Sequence, residues 1–154
     1  MTSLCCDVLR RLEGKTLVTA ESCTGGGIGA ALTAVPGSSA VYKGGVISYT
    51  NWVKHNLLAV PQAYLDQFGA VSAPVAEAMA LGARQSMEAD IAVSVTGLAG
   101  PGGDEYGNSV GTVYIGYCDT ARLLSKEFHF DGSRSEVREQ AVKAALQFVL
   151  DNQE

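Results

Sequence analysis

Apolar positions at Leu4, Val8 and Leu12 recur at helical spacing, and Gly14 follows them as a stop. Thr16 to Ala20 then reads as a short buried strand. The stretch Thr24 to Ala34 is rich in Gly and Ala and ends at Pro36-Gly37. It is predicted as a helix packed closely against its neighbours, because glycine weakens a helix unless something must approach its backbone. Val41, Ile47 and Tyr49 can share one face of a second strand, with Gly44-Gly45 marking a bulge or bend. Asn51 is a suitable N-cap for a short helix carrying Leu57 and Leu58, and Pro61 leaves room for another short helix. Ser72-Ala73-Pro74 opens a longer helix that runs to about Glu88, with Val75, Met79 and Gly82-Ala83 facing inward. Ile91 to Val95 is an apolar strand that empties into the glycine-rich loop Gly97 to Gly103. Val110 to Cys118 and Leu123 to Phe130 alternate like two paired strands. Asp131-Gly132-Ser133 starts a last helix with Val137, Ala141, Ala145 and Phe148 on one face.

The resulting order, α-β-α-β-α-α-β-β-β-α, defines an α/β protein. Early alternation favours parallel crossovers, and the late run of strands favours an antiparallel piece. The expected architecture is one domain over residues 1–154, a three-layer α/β/α sandwich around a mixed, mostly parallel sheet. The apolar share of 47% suffices for a core. A net charge of -5 argues against an extended nucleic-acid footprint, although one or two local cations can still hold a small anion. No apolar run is long enough to span a bilayer and no cleavable leader is evident, so the cytosol is the expected location and neither membrane nor nucleic acid is an expected partner. Association with further copies of the chain is left open. Cys5, Cys6, Cys23 and Cys118 form no C-x-x-C pair, and His55 and His129 lie far apart, so no metal site is expected.

Four segments carry possible chemistry. The first is Ser22-Cys23-Thr24-Gly25-Gly26-Gly27, directly after the first strand. A serine there is either a helix cap or an exposed nucleophile beside unpaired N–H groups that suit a phosphate or an oxyanion. Gly25, Gly27 and Ala30 also match a dinucleotide fingerprint, but the second strand ends in Ser48-Tyr49-Thr50-Asn51 without the acid that binds a ribose. The second segment holds Tyr49 and Lys54. A lysine near a helix start opposes the helix dipole, which favours its neutral form and suits a general base; the alternative is a solvated surface lysine. The third is the loop Thr96 to Gly103, which lets backbone approach a ligand but lacks the Lys-Ser or Lys-Thr of a Walker loop. The fourth is Asp131-Gly132-Ser133-Arg134, where Arg134 either grips an anion or, alongside Arg138, joins surface ion pairs with the nearby acids. Neither histidine fits a Ser-His-acid triad, which leaves Ser with Lys as the economical pairing.

Taken in order and spacing, Thr19 to Gly26, Gly44 to Asn51 with Lys54, Gly69-Ala70-Val71-Ser72 and Thr96 to Pro101 resemble the nicotinamide-nucleotide amidase family. That family includes the C-terminal domain of the competence/damage-inducible proteins. The resemblance covers nearly the whole chain. It implies an anticodon-binding-type sandwich and hydrolysis of nicotinamide mononucleotide to nicotinic acid mononucleotide and ammonia, without cofactor. It further implies Ser22 as nucleophile, Lys54 as its base and Tyr49 as an aid to proton transfer. Thr24, Gly25 and Gly26 in the turn, Thr96, Gly97, Ala99 and Gly100 in the loop, and Arg134 would then bind substrate. Here Gly27 extends the family's Gly-Gly pair, and Asp131-Gly132-Ser133 stands where an acid more often precedes the arginine. The competing reading is a non-catalytic binding module for a pyridine nucleotide or another phosphorylated ligand.

Overall fold

The computed structural model describes residues 1–153. Its helices are α1 (Thr2–Arg11), α2 (Gly27–Thr33), α3 (Asn51–Leu58), α4 (Gln62–Phe68), α5 (Ala73–Ser86) and α6 (Arg134–Asp151). Its strands are β1 (Leu17–Glu21), β2 (Tyr42–Ile47), β3 (Ile91–Gly97), β4 (Thr112–Cys118) and β5 (Leu123–His129). The strands form one sheet in the order β2-β1-β3-β4-β5. β1 pairs in parallel with both β2 and β3, while β3–β4 and β4–β5 are antiparallel. Two reversals restore the original direction, so four of the five strands point the same way and only β4 runs against them.

Apolar side chains cover both faces. Val8 and Leu12 from the α1 region, Ile28 and Leu32 of α2, and Val137, Ala141 and Leu146 of α6 fill one side. Leu58 of α3, Leu65 of α4, and Val75, Met79 and Ala83 of α5 fill the other. This is the three-layer sandwich expected from the pattern of elements, and it leaves the C-terminal ends of β1, β2 and β3 side by side. Among the described residues, no helix is long and apolar enough to cross a membrane.

The details differ from expectation at several points. The helix predicted from Thr24 begins only at Gly27, because Gly25 and Gly26 adopt left-handed φ values of 57° and 99° and make a separate turn. The α3 cap is Thr50 rather than Asn51; its hydroxyl accepts from the Val53 amide at 3.4 Å. The short helix for which Pro61 leaves room forms as α4, so three helices lie between β2 and β3 where the element order has two. On β2, Lys43 is the extra residue of a bulge, beside the expected glycines. Val41 joins the core, whereas Ile47 and Tyr49 remain exposed at the sheet edge.

Candidate active site

β1 delivers Ser22 just past its last residue, and the Ser22 amide still bonds the Val95 carbonyl of β3 at 2.9 Å. The chain then turns through Cys23 to Gly26, closed by the Gly25 amide on the Ser22 carbonyl and the Gly27 amide on the Thr24 carbonyl, both at 3.0 Å. Lys54 is in the second turn of α3, and its long side chain folds back over the preceding turn, as helical side chains do. The lysine is 1% exposed. Its Nζ donates to Ser22 Oγ at 3.0 Å and to the Ser48 carbonyl at 2.7 Å, with no carboxylate within ion-pair distance among the described residues. Burial without a counter-charge disfavours the ammonium, and its pKa falls from the ordinary 10.5 to about 8. Beside it, burial pushes the Cys23 thiol up to about 11, so that sulfur stays protonated near neutral pH.

Ser22 and Lys54 open onto a cavity of about 380 Å³. Tyr49, Thr50 and Asn51 form one wall, Ala70 and Val71 a second, and the run Thr96 to Gly100 with Gly102 a third. Arg134, the first residue of α6, closes the rim: it donates to the Gly100 carbonyl at 2.5 Å and to the Tyr49 hydroxyl at 3.2 Å. The structure thus assembles Ser22, Lys54, Tyr49, Thr96, Gly97, Ala99, Gly100 and Arg134 in one place. The Thr96 hydroxyl is already engaged by the Ala70 carbonyl at 2.8 Å, which ties the loop base to the second wall.

Thr24, Gly25 and Gly26 are not among the cavity's lining residues. Thr24 turns inward, and its hydroxyl donates to Glu21 at 2.7 Å. The start of α2, expected to present free N–H groups, is likewise occupied: Ile28 and Gly29 donate their amides to the Glu21 carboxylate at 2.8 and 3.0 Å. The amides of Cys23 and Thr24 donate to no group among the described residues. Three contributors were not singled out from the sequence. Glu21 lies within the Thr19 to Gly26 stretch but just past the strand expected to end at Ala20, and no role was assigned to it. Ser48 acts through its carbonyl, which no side-chain pattern reports. Arg138 was read as a surface charge but donates to the Cys23 and Thr24 carbonyls at 3.0 and 3.2 Å, fastening the turn to α6.

A nucleophilic hydroxyl, an amine that loses its proton near neutral pH and free amides beside them can together cleave an acyl bond. The model of the CinA C-terminal domain matches residues 2–152. A CinA-like protein of Synechococcus sp. (strain CC9311) is 60% identical over 115 residues, covering 73% of this chain and 27% of that protein. Nicotinamide-nucleotide amidohydrolase PncC of Pseudomonas putida is 47% identical over 142 residues, 92% of this chain and 88% of that protein. The crystal structure of the competence damage-inducible protein A of Klebsiella pneumoniae superposes with a TM-score of 0.96 at 36% identity, covering 98% of this chain and 95% of that one. The chain therefore spans about a quarter of the Synechococcus relative's length and most of the Pseudomonas one.

Proposed function

This chain belongs to the CinA C-terminal domain family, and on that premise we propose that it is an amidohydrolase converting nicotinamide mononucleotide to nicotinic acid mononucleotide and ammonia. The observation that carries the reading is the 3.0 Å contact between Lys54 Nζ and Ser22 Oγ inside a buried, carboxylate-free corner of the cavity. A passive anion site has no use for a buried lysine whose pKa is lowered to about 8 beside a serine hydroxyl. The substrate comes from the amidohydrolase of Pseudomonas putida, which this chain matches along nearly its full length.

In the proposed reaction, neutral Lys54 keeps one N–H on the Ser48 carbonyl and uses its lone pair to take the Ser22 proton. Ser22 Oγ attacks the carboxamide carbon, and the oxyanion settles on the free amides of Cys23 and Thr24. Lys54 returns the proton to the departing nitrogen, and ammonia leaves. A water molecule, deprotonated by the same amine, then splits the acyl-enzyme and releases the acid. Two such amide donors are worth roughly 100- to 1000-fold each in rate. Arg134, at the rim with Tyr49, is the cation for the substrate phosphate. Each step uses only these groups, so dialysis against a strong chelator is expected to leave the rate unchanged.

The deciding experiment is ammonia release from nicotinamide mononucleotide by the purified protein, with Ser22→Ala and Lys54→Ala as controls. Both variants should retain the fold and lose at least about 1000-fold in kcat, in line with removal of a nucleophile or its base. A wild-type protein that binds the nucleotide but releases no ammonia would instead be a binding module.

A further inference from the structure

Glu21 is 2% exposed and has no cationic partner within ion-pair distance among the described residues. A buried carboxylate without a counter-ion is costly unless hydrogen bonds replace its water. Here Oε1 accepts from the Thr24 hydroxyl at 2.7 Å and the Ile28 amide at 2.8 Å, while Oε2 accepts the Gly29 amide at 3.0 Å. Its backbone carbonyl accepts the Ser48 amide at 2.8 Å, and Ser48 in turn holds Lys54 through its own carbonyl. One residue therefore grips the turn after Ser22, the start of α2 and the strand end that carries the lysine's acceptor.

The arrangement sets the orientation of the turn. Arg138 draws the Cys23 carbonyl toward α6 at 3.0 Å. In a trans peptide the N–H points opposite to the carbonyl, so the Thr24 amide faces away from Arg138. The Thr24 side chain is meanwhile fixed inward on Glu21. With the α2 amides saturated, the donors left for a developing oxyanion are those of the turn itself. Building on the amidase reading, we propose that Glu21 is a positioning residue: its carboxylate fastens the Ser22–Gly26 turn so that the nucleophile and the free Cys23 and Thr24 amides keep a reactive geometry.

The test uses Glu21→Gln, which preserves shape but sets an amide N–H against donors, and Thr24→Val, which removes the hydroxyl link and keeps the branched side chain. Two readouts are combined: kcat and KM for nicotinamide mononucleotide across pH, and the labelling rate of Ser22 by a fluorophosphonate, which needs no nucleotide. Glu21→Gln should lower both kcat and labelling by roughly 100-fold, the scale of one misplaced oxyanion donor. Thr24→Val should lower both by about tenfold, a milder loss because the two α2 amides still hold the carboxylate. KM and the midpoint of the pH profile should stay those of the wild type, since Glu21 is proposed to act on the turn and not on the lysine. Labelling within about twofold of wild type in a folded Glu21→Gln protein overturns the proposal, and so does a shifted midpoint. If Glu21→Gln does not fold, the same limit applied to Thr24→Val decides. A wild type that is labelled but releases no ammonia rejects the substrate while leaving this test intact, and a wild type that is not labelled rejects the proposal together with the nucleophile.

Discussion

Lys54 concentrates the chemistry and the cost of the site in one side chain. Its pKa near 8, against an ordinary 10.5, has two consequences that can be measured separately. For activity, the neutral amine is the working form in the proposed mechanism, so kcat/KM should rise with pH to a plateau, with a midpoint near the free-enzyme value of about 8. A flat profile from about pH 6 to 9.5 would remove Lys54 as the base. For stability, the folded state releases the proton earlier than the unfolded chain does. Below about 8 both states are protonated and the full penalty applies; between about 8 and 10.5 the unfolded chain holds more protons, so stability rises with pH. The penalty is on the order of 3 kcal/mol at pH 7. Lys54→Met should therefore stabilise the inactive protein at pH 7 by about 2 kcal/mol, after a loss of about 1 kcal/mol for the orphaned Ser48 carbonyl. Urea melts at about pH 7 and 9.5 should show that gain reduced by more than half at the higher pH.

At the scale of elements, glycine marks where two backbones meet. Gly82 lies inside α5, where an alanine would ordinarily add about 1 kcal/mol. Here a Cβ would run into the Leu58 carbonyl at the end of α3, so the sign reverses. Gly82→Ala should destabilise by about 2 kcal/mol or more, as overpacking of a rigid contact does, and should also disturb Lys54 through the displaced α3. Thermal unfolding checks the first effect and the pH profile the second. Gly69, next to the cavity-wall residue Ala70, plays a comparable part. It has φ 78°, and a Cβ there would stand 2.5 Å from the Tyr106 ring. The Tyr106 hydroxyl bonds the Asp66 carbonyl at 3.0 Å, latching the loop between β3 and β4 onto α4. Gly69→Ala should lift that latch and raise KM several-fold with a smaller effect on kcat, which initial-rate kinetics would show. The inward placement of Gly82-Ala83 was legible from helical periodicity, whereas the contact that enforces it was not. The partner is a carbonyl oxygen on another helix, and no side-chain pattern encodes it.

At the scale of the molecule, the positions of Ser22, Tyr49, Lys54 and the Thr96–Gly103 segment were legible because each lies at or beyond the end of a strand that the sequence pattern marks. Once β1, β2 and β3 are parallel neighbours, their C-terminal ends must converge. What was not legible is how the turn orients its amides. Saturation of the α2 amides by Glu21 depends on a buried carboxylate reaching across seven and eight residues, a relation that neither composition nor periodicity carries. The convergence also makes the cavity a joint property of the whole chain. Its walls come from the turn after β1, the β2–α3 link with α3, the α4–α5 junction, the end of β3 with the loop that follows it, and α6, and so from both helical layers. A nucleotide seated there can bind only when all of them are in place, so its binding free energy adds to global stability rather than to one segment. At a ligand concentration about 100 times Kd, the gain is about 2.7 kcal/mol. For a chain of this size that corresponds to a rise in Tm of roughly 5–10 °C. Ser22→Ala, which should bind without turnover, is the protein in which to measure it. Scanning fluorimetry with nicotinamide mononucleotide should show one cooperative transition moving upward with concentration. Arg134→Ala should lose most of that shift while keeping the Tm of the unliganded protein within about 2 °C, because its side chain is exposed at the rim and leaves no cavity in the core. A Ser22→Ala protein whose Tm does not respond to the nucleotide would mean that the cavity is not its binding site.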